Sequence, residues 1–76
     1  MNAKIEKIIG QNIKRLREAQ GFTQEMLAAK LQLNGCDITR SAIAKIEVGQ
    51  RHLYVDELIF IAKIIGVGYD EILRMN

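Results

Sequence analysis

The first part of the chain alternates apolar and charged positions with the period of an α-helix. Its apolar residues stand three or four positions apart, while Lys7, Lys14 and Glu18 fall on the other face. This spacing predicts an amphipathic first helix that ends at Gly21, because glycine favours the conformations that stop a helix. The predicted buried positions of this helix are Ile5, Ile8, Ile9, Ile13 and Leu16.

A second helix is predicted for the segment TQEMLAAKL, which begins at Thr23. The threonine hydroxyl can accept a hydrogen bond from one of the free backbone amides at a helix start. The segment is rich in good helix formers, and its larger apolar side chains give it a face to bury. We expect these buried residues to be Met26, Leu27 and Leu31.

A turn and a third helix follow. The stretch NGCD at residues 34–37 predicts the turn, because Asn and Gly tolerate backbone angles that helices exclude. Thr39 then caps the segment RSAIAKIEV, and Gly49 ends it. The inward stripe of this third helix is predicted to contain Ala42, Ile43 and Ile46.

Two further helices complete the prediction. Residues 56–65 are almost wholly apolar, so we expect them to form the central buried helix. A last short helix fits residues 69–74, with Ile72 and Leu73 available for packing. Five short helices without strand alternation predict an all-α fold, and the length of 76 residues allows one domain over residues 1–76.

The residue types restrict the possible chemistry. Cys36 is the only cysteine and His52 the only histidine, so we expect no intrachain disulfide and no zinc cluster. Because no nucleophile with a base or phosphate loop is recognisable either, we expect a protein that is not an enzyme and has no metal, cofactor or small-molecule ligand. No apolar run reaches membrane-spanning length and no signal peptide is evident, which predicts a cytoplasmic protein with no membrane partner. Cys36 is expected to be an idle thiol and not a redox sensor, because no resolving partner or feature that lowers its pKa is visible.

Charge is divided unevenly along the chain, although the net charge is only +2. Residues 1–52 carry nine Lys or Arg against five Asp or Glu, whereas residues 53–76 carry two against four. A basic surface in the N-terminal two thirds suits nucleic acid, but chance asymmetry on a solvated surface explains it equally well. Charge alone therefore does not identify a partner.

Three segments, in this order, resemble the lambda-repressor-like helix-turn-helix family, which includes the Cro, cI and Xre-type regulators. They are IKRLREAQGFTQEMLAAKL, TRSAIAKIEVGQR and LIFIAKIIGVGYDEIL, and the resemblance runs from Gly10 to Leu73. It implies a compact five-helix DNA-binding domain with its helix-turn-helix at helices 2 and 3, about residues 23–48. The implied function is sequence-specific binding of double-stranded DNA by a transcriptional regulator, which we expect to be a repressor.

The resemblance places base contacts on the outward face of the third helix, because the N-terminal part of that helix enters the major groove. Arg40 is the expected specificity residue, since a guanidinium can donate to guanine O6 and N7 together. Ser41 can pair with donors or acceptors, Ala44 can touch a thymine methyl, and Lys45 can reach a base or a phosphate. A solvated polar helix face is the plain alternative for these four residues.

The resemblance also implies contacts with DNA phosphates, which set the register and supply affinity without reading sequence. The expected residues lie at the starts of helices 2 and 3 and in the connection after helix 3. They are Thr23, Gln24, Thr39, Gln50, Arg51 and His52. For His52, a plain surface position is an equal alternative.

Arg17 and Glu47 are expected to form a structural ion pair, because related domains pair an arginine late in the first helix with a glutamate late in the third. The chain departs from the family's compact turn at residues 32–38, where the connection is longer and Gln32 replaces the turn glycine. We expect this insertion to change the approach of the two helices or to form a small protrusion. Leu53 stands near the place of the family's usual proline.

A protein-interaction module, such as the antitoxin of a toxin pair, is the alternative function on the same fold. DNA binding requires Arg40, Lys45 and Arg51 to line one face, whereas protein binding would depend on exposed apolar positions near Tyr69, Ile72 and Met75. We expect a homodimer on a palindromic operator, because a single module contacts few base pairs. The apolar C-terminal segment suits the dimer interface, and completion of the monomer core is its alternative role.

Overall fold

The computed structural model describes residues 2–75, and this range contains five α-helices and no β-strand. The helices are α1 Ala3–Ala19, α2 Gln24–Leu33, α3 Arg40–Glu47, α4 Val55–Ile65 and α5 Tyr69–Ile72. The all-α, five-helix prediction is confirmed. Within the described range, no helix has the length and apolar character needed to cross a bilayer.

The helix starts follow the predicted capping chemistry. The Thr23 hydroxyl accepts a hydrogen bond of 3.0 Å from the Met26 amide, and the Thr39 hydroxyl accepts one of 3.1 Å from the Ala42 amide. Each bond satisfies a backbone donor that has no partner inside its own helix. The predicted stop of α1 is also present, since Gly21 adopts a left-handed φ of +76° just after the helix.

The core lies between the five helices and is built mainly from isoleucine and leucine. α1 packs on α3 and α5, α2 packs on α3 and α4, and α4 packs on α5. Ile72 is fully buried, so this α5 residue completes the monomer core and is not one of the exposed apolar positions predicted for protein binding. Other large apolar side chains with less than 2% exposure are Ile13, Leu27, Leu31, Ile38, Ile43 and Ile61.

One residue in each of the predicted buried sets of α1, α2 and α4 is in fact exposed. Met26 is 43% exposed because α2 buries the stripe through Leu27 and Leu31, and a helix rotates about 100° per residue. For the same reason α4 buries one face rather than its whole surface, and Ile59 is 48% exposed. Ile5 is 42% exposed because it lies near the N-terminal end of α1, two turns before the buried Ile13.

The last helix is shorter than predicted, since α5 ends at Ile72 and not at residue 74. The Asn12 side-chain amide donates to the carbonyl oxygen of Ile72 at 2.9 Å and to that of Arg74 at 2.8 Å. A side chain of α1 therefore satisfies the backbone acceptors at the end of the chain. Leu73 is left partly exposed instead of packing in the core.

The longer connection between α2 and α3 is anchored in the core at its second half. Cys36 and Ile38 are buried, and the Gln32 amide donates to the Ile38 carbonyl oxygen at 2.8 Å. The beginning of the connection is exposed, with Leu33 at 87%, and the protrusion and the changed approach of the two helices stay predictions. Burial raises the pKa of the Cys36 thiol, and neighbouring carboxylates add to this effect, so the thiol is protonated at neutral pH.

Helices α1 and α3 approach each other closely at Gly10. A Cβ atom on this residue would overlap the carbonyl oxygen of Ile46 and would lie 2.9 Å from the backbone carbonyl carbon of Glu47. Only glycine fits here without a displacement of backbone, because neither of these atoms can rotate away. Gly10 therefore sets the distance at which α1 supports α3.

Candidate nucleic-acid interface

The accessible face of α3 carries the residues that the sequence predicts for base contacts. Arg40, Ser41 and Lys45 are exposed and Ala44 is half-buried, while the opposite face packs Ile43 and other side chains into the core. Among residues 2–75, neither Arg40 nor Lys45 takes part in a salt bridge. Their charged groups are therefore available to an external partner.

A shallow depression runs beside this face of α3. It brings together residues from the start of α3, from its exposed face and from the loop that follows it. The lining residues are Thr39, Ser41, Ala42, Lys45, Gln50 and Arg51. Three predicted phosphate contacts and two predicted base contacts thus share one surface, whereas Thr23 and Gln24 lie at the start of α2.

The end of α3 is held to α1 by the ion pair between Arg17 and Glu47. Arg17 Nε lies 2.7 Å from Glu47 Oε2 and Nη2 lies 3.0 Å from Oε1, with only 6% and 1% of the two side chains exposed. Arg17 Nη1 also donates to the Phe22 carbonyl oxygen at 2.6 Å. The hydrogen bond to Glu47 raises the pKa of Arg17 despite its burial, so the guanidinium stays charged.

Gln24 joins this network, which the sequence did not indicate. Its side-chain amide donates to Glu47 Oε1 at 2.9 Å, so the carboxylate receives hydrogen bonds from both α1 and α2. The first residue of α2 is thereby tied to the last residue of α3. This contact fixes the relative placement of the two helices across their long connection.

Arg51 and His52, two of the predicted phosphate contacts in the loop after α3, are paired within the chain. Arg51 makes bonds of 2.8 and 3.0 Å to the two carboxylate oxygens of Glu57, and its guanidinium lies 5.1 Å from the centre of the Tyr54 ring. His52 Nδ1 lies 2.8 Å from Glu6 Oε1. These pairs anchor the loop to α4 and α1. The sequence analysis missed this role because Glu57 and Glu6 lie outside the three segments that carry the resemblance.

The Arg51–Glu57 pair predicts a pH-dependent contribution to stability. Burial of Glu57 opposes its ionisation, but hydrogen bonds from Arg51 and from the Tyr54 amide outweigh burial and lower the pKa below 4.5. A lowered carboxyl pKa stabilises the folded state above the ordinary carboxyl range, and this contribution is lost as the pH falls through the folded-state value. We therefore expect Glu57→Gln to lower the free energy of unfolding at neutral pH, with a smaller difference in acid.

Urea unfolding of the wild type and Glu57→Gln between about pH 7 and pH 3 measures this change. Glu25→Gln is the matched control, because Glu25 is exposed and makes no salt bridge among the described residues. A Glu57→Gln deficit that stays constant with pH contradicts the assignment.

Two other supporting residues were missed by the sequence analysis, although each left a signal. Gly10 stands inside a helix, where glycine costs about 1 kcal/mol relative to alanine and so points to a close approach. Asn12 interrupts an apolar stretch of the same helix, where a buried amide requires partners. Neither signal identifies the partner, which comes from α3 for Gly10 and from the chain end for Asn12.

Comparison with known proteins agrees with this architecture. Residues 13–72 match the family model described as helix-turn-helix, whereas residues 3–12 of α1 precede the match. The crystal structure of the DNA-binding domain of BldD is similar, with a TM-score of 0.81 and 22% identity over 96% of this chain and 99% of that chain. At this identity the likeness shows a common fold. No curated protein matches the sequence.

Proposed function

The chain belongs to the lambda-repressor-like helix-turn-helix family, and on this premise we propose that it regulates transcription by binding a specific duplex DNA sequence. The observation that carries the proposal is the exposed polar face of α3, with Arg40 and Lys45 unpaired in the described chain and a rigid support beneath them. In this family a helix so placed enters the major groove. The proposed activity is therefore recognition of base edges by side chains of α3.

Arg40 is proposed to specify one base pair, because it stands at the first position of α3 and its guanidinium makes no salt bridge within residues 2–75. Its planar fork suits the two acceptors that guanine presents in the major groove. Ser41, Ala44 and Lys45 follow on the accessible side of the helix and are proposed to contact neighbouring bases or, for Lys45, a phosphate.

Phosphate contacts are proposed on both sides of α3. Thr23 and Thr39 present hydroxyls at the starts of α2 and α3, where backbone amides and the helix dipole also favour an anion. Arg51 keeps its Nε–H free of the Glu57 contact, and donors of this kind can reach a phosphate without breaking the pair. The remaining proposed phosphate contacts are Gln24, Gln50 and His52.

We further propose a cytoplasmic homodimer that represses transcription from a palindromic operator. One small module contacts too few base pairs to define a specific site, and a two-fold arrangement doubles that number. Exposed apolar side chains near the C-terminus support the interface, and they are Tyr69, Leu73 and Met75. The same exposed side chains favour the second candidate function, a protein-interaction module such as an antitoxin.

Replacement of Arg40 tests the assignment of base reading. We expect Arg40→Ala to weaken binding to the preferred duplex about 5-fold to 150-fold, which corresponds to the 1 to 3 kcal/mol of one bidentate base contact. The loss should vanish on a duplex in which that one base pair is changed. Fluorescence anisotropy with the two duplexes measures both effects.

Arg15→Ala is the matched control for Arg40→Ala, because Arg15 is an exposed arginine of α1 without a salt bridge among residues 2–75. It should retain the preference of the wild type for the selected duplex. If Arg40→Ala weakens binding to both duplexes equally, Arg40 contacts the backbone and the proposed role is wrong.

A further inference from the structure

We propose that Lys7 binds a DNA phosphate beside Gln50, so that the DNA-binding surface extends onto the first turns of α1. Lys7 precedes the region that matches the family model, which begins at residue 13. The inference rests on the proposed function, because it adds a phosphate contact to a protein that reads DNA with α3. A contact of this kind supplies affinity and register and reads no sequence.

The position of Lys7 is set by its contact with the loop after α3. A Cβ atom on Gly49 would lie 3.0 Å from Lys7 Cα and 3.1 Å from Lys7 Cβ, so the two backbones pass each other at van der Waals distance. Gly49 immediately precedes Gln50, which lines the depression beside α3. The Lys7 side chain therefore leaves α1 next to the loop that is proposed to lie on the DNA backbone.

The basic residues of the loop after α3 are already paired with carboxylates of this chain, so phosphate binding at the loop calls for a further cation. Glu6 and Glu57 bring two carboxylates to the loop, and His52 and Arg51 are paired with them. The positive charge of Arg51 is therefore largely offset before any phosphate arrives. Lys7 is exposed and makes no salt bridge among the residues that the structure describes, so its ammonium group remains available.

Lysine chemistry fits this role. Its charge is a compact ammonium at the end of a flexible four-carbon stem, which adjusts to a phosphate without a fixed geometry. The backbone from which the stem departs is nevertheless fixed, because α1 packs against α3 and crosses it at Gly10. The site thus combines a fixed helix backbone with a flexible, charged side chain.

Removal of this charge is expected to weaken DNA binding irrespective of sequence. Lys7→Gln should lower affinity about 3-fold to 10-fold near 0.1 M salt and reduce the slope of log K against log salt by about 0.9, as expected for one phosphate contact. The same fold-change should occur with the selected duplex and with a scrambled duplex. Lys7→Arg, which keeps the charge, should retain most of the affinity.

Lys63→Gln is the matched control, because Lys63 is exposed in the last turn of α4 and that helix packs on α2 and α5. Thermal melting of each variant establishes that the fold is intact. If Lys7→Gln binds and responds to salt like Lys63→Gln while Arg40→Ala still loses specificity, the Lys7 contact is wrong and the proposed function stands. A wild-type protein that binds no duplex overturns both.

Discussion

Replacing Gly10 with alanine is expected to destabilise the protein by about 3 kcal/mol or more, although alanine is the better helix former by about 1 kcal/mol. The added Cβ would overlap the Ile46 carbonyl oxygen and press on the Glu47 backbone, so α1 and α3 must separate. Thermal denaturation should show a fall in Tm of about 10 °C or more for a domain of this size. DNA affinity should fall as well, because α3 loses its support.

Gly21→Ala is the control for the Gly10 substitution. It adds the same methyl group where no atom lies within 4 Å, and only the left-handed conformation of Gly21 opposes it. That strain costs about 1 kcal/mol. If Gly10→Ala proves no more destabilising than Gly21→Ala, the close crossing of α1 and α3 is not as described.

Removal of the Glu47 carboxylate is expected to have the other large effect. Glu47→Ala leaves the buried Arg17 guanidinium without its partner and also removes the acceptor of Gln24, so we expect a loss of about 3 to 5 kcal/mol. Urea unfolding at neutral pH measures this loss. Glu25→Ala, which removes an exposed carboxylate from α2, should change stability by less than about 0.5 kcal/mol.

A double variant separates the value of the pair from the penalty of an unpaired charge. Arg17→Met with Glu47→Leu replaces the pair by apolar side chains of similar size, and such replacements of buried pairs are often close to neutral. We therefore expect the double variant to be more stable than Glu47→Ala alone. Equal losses in the two proteins would show that the cost of Glu47→Ala does not come from stranding Arg17.

Local chemistry made much of the fold predictable. The helix periods, the threonine caps at residues 23 and 39 and the stop at Gly21 act through neighbours close in sequence, and all of them occur in the structure. The predicted pairing of Arg17 with Glu47 came from family resemblance, since nothing in the spacing of two charges thirty residues apart requires them to meet. The exposed face of α3 followed from helical period alone.

The contacts that hold the site in place were not predictable in the same way. The partner of Gly10 is the backbone of α3, and the partners of Asn12 lie sixty or more residues further along the chain. Such contacts depend on how the helices pack, which a period in the sequence does not specify. The pairing of Arg51 with Glu57 was missed for a related reason. The resemblance implied a phosphate contact for Arg51 and implied no carboxylate partner at the start of α4.

Selection of duplexes by the wild-type protein from a random pool, followed by affinity measurements at several salt concentrations, tests the central claim most directly. We expect one enriched palindromic sequence with half-sites about one helical turn apart, bound far more tightly than random duplex at the same salt concentration. Absence of enrichment, together with weak binding even at low salt, would contradict the reading of DNA by α3. The exposed C-terminal apolar side chains would then direct the search to a protein partner.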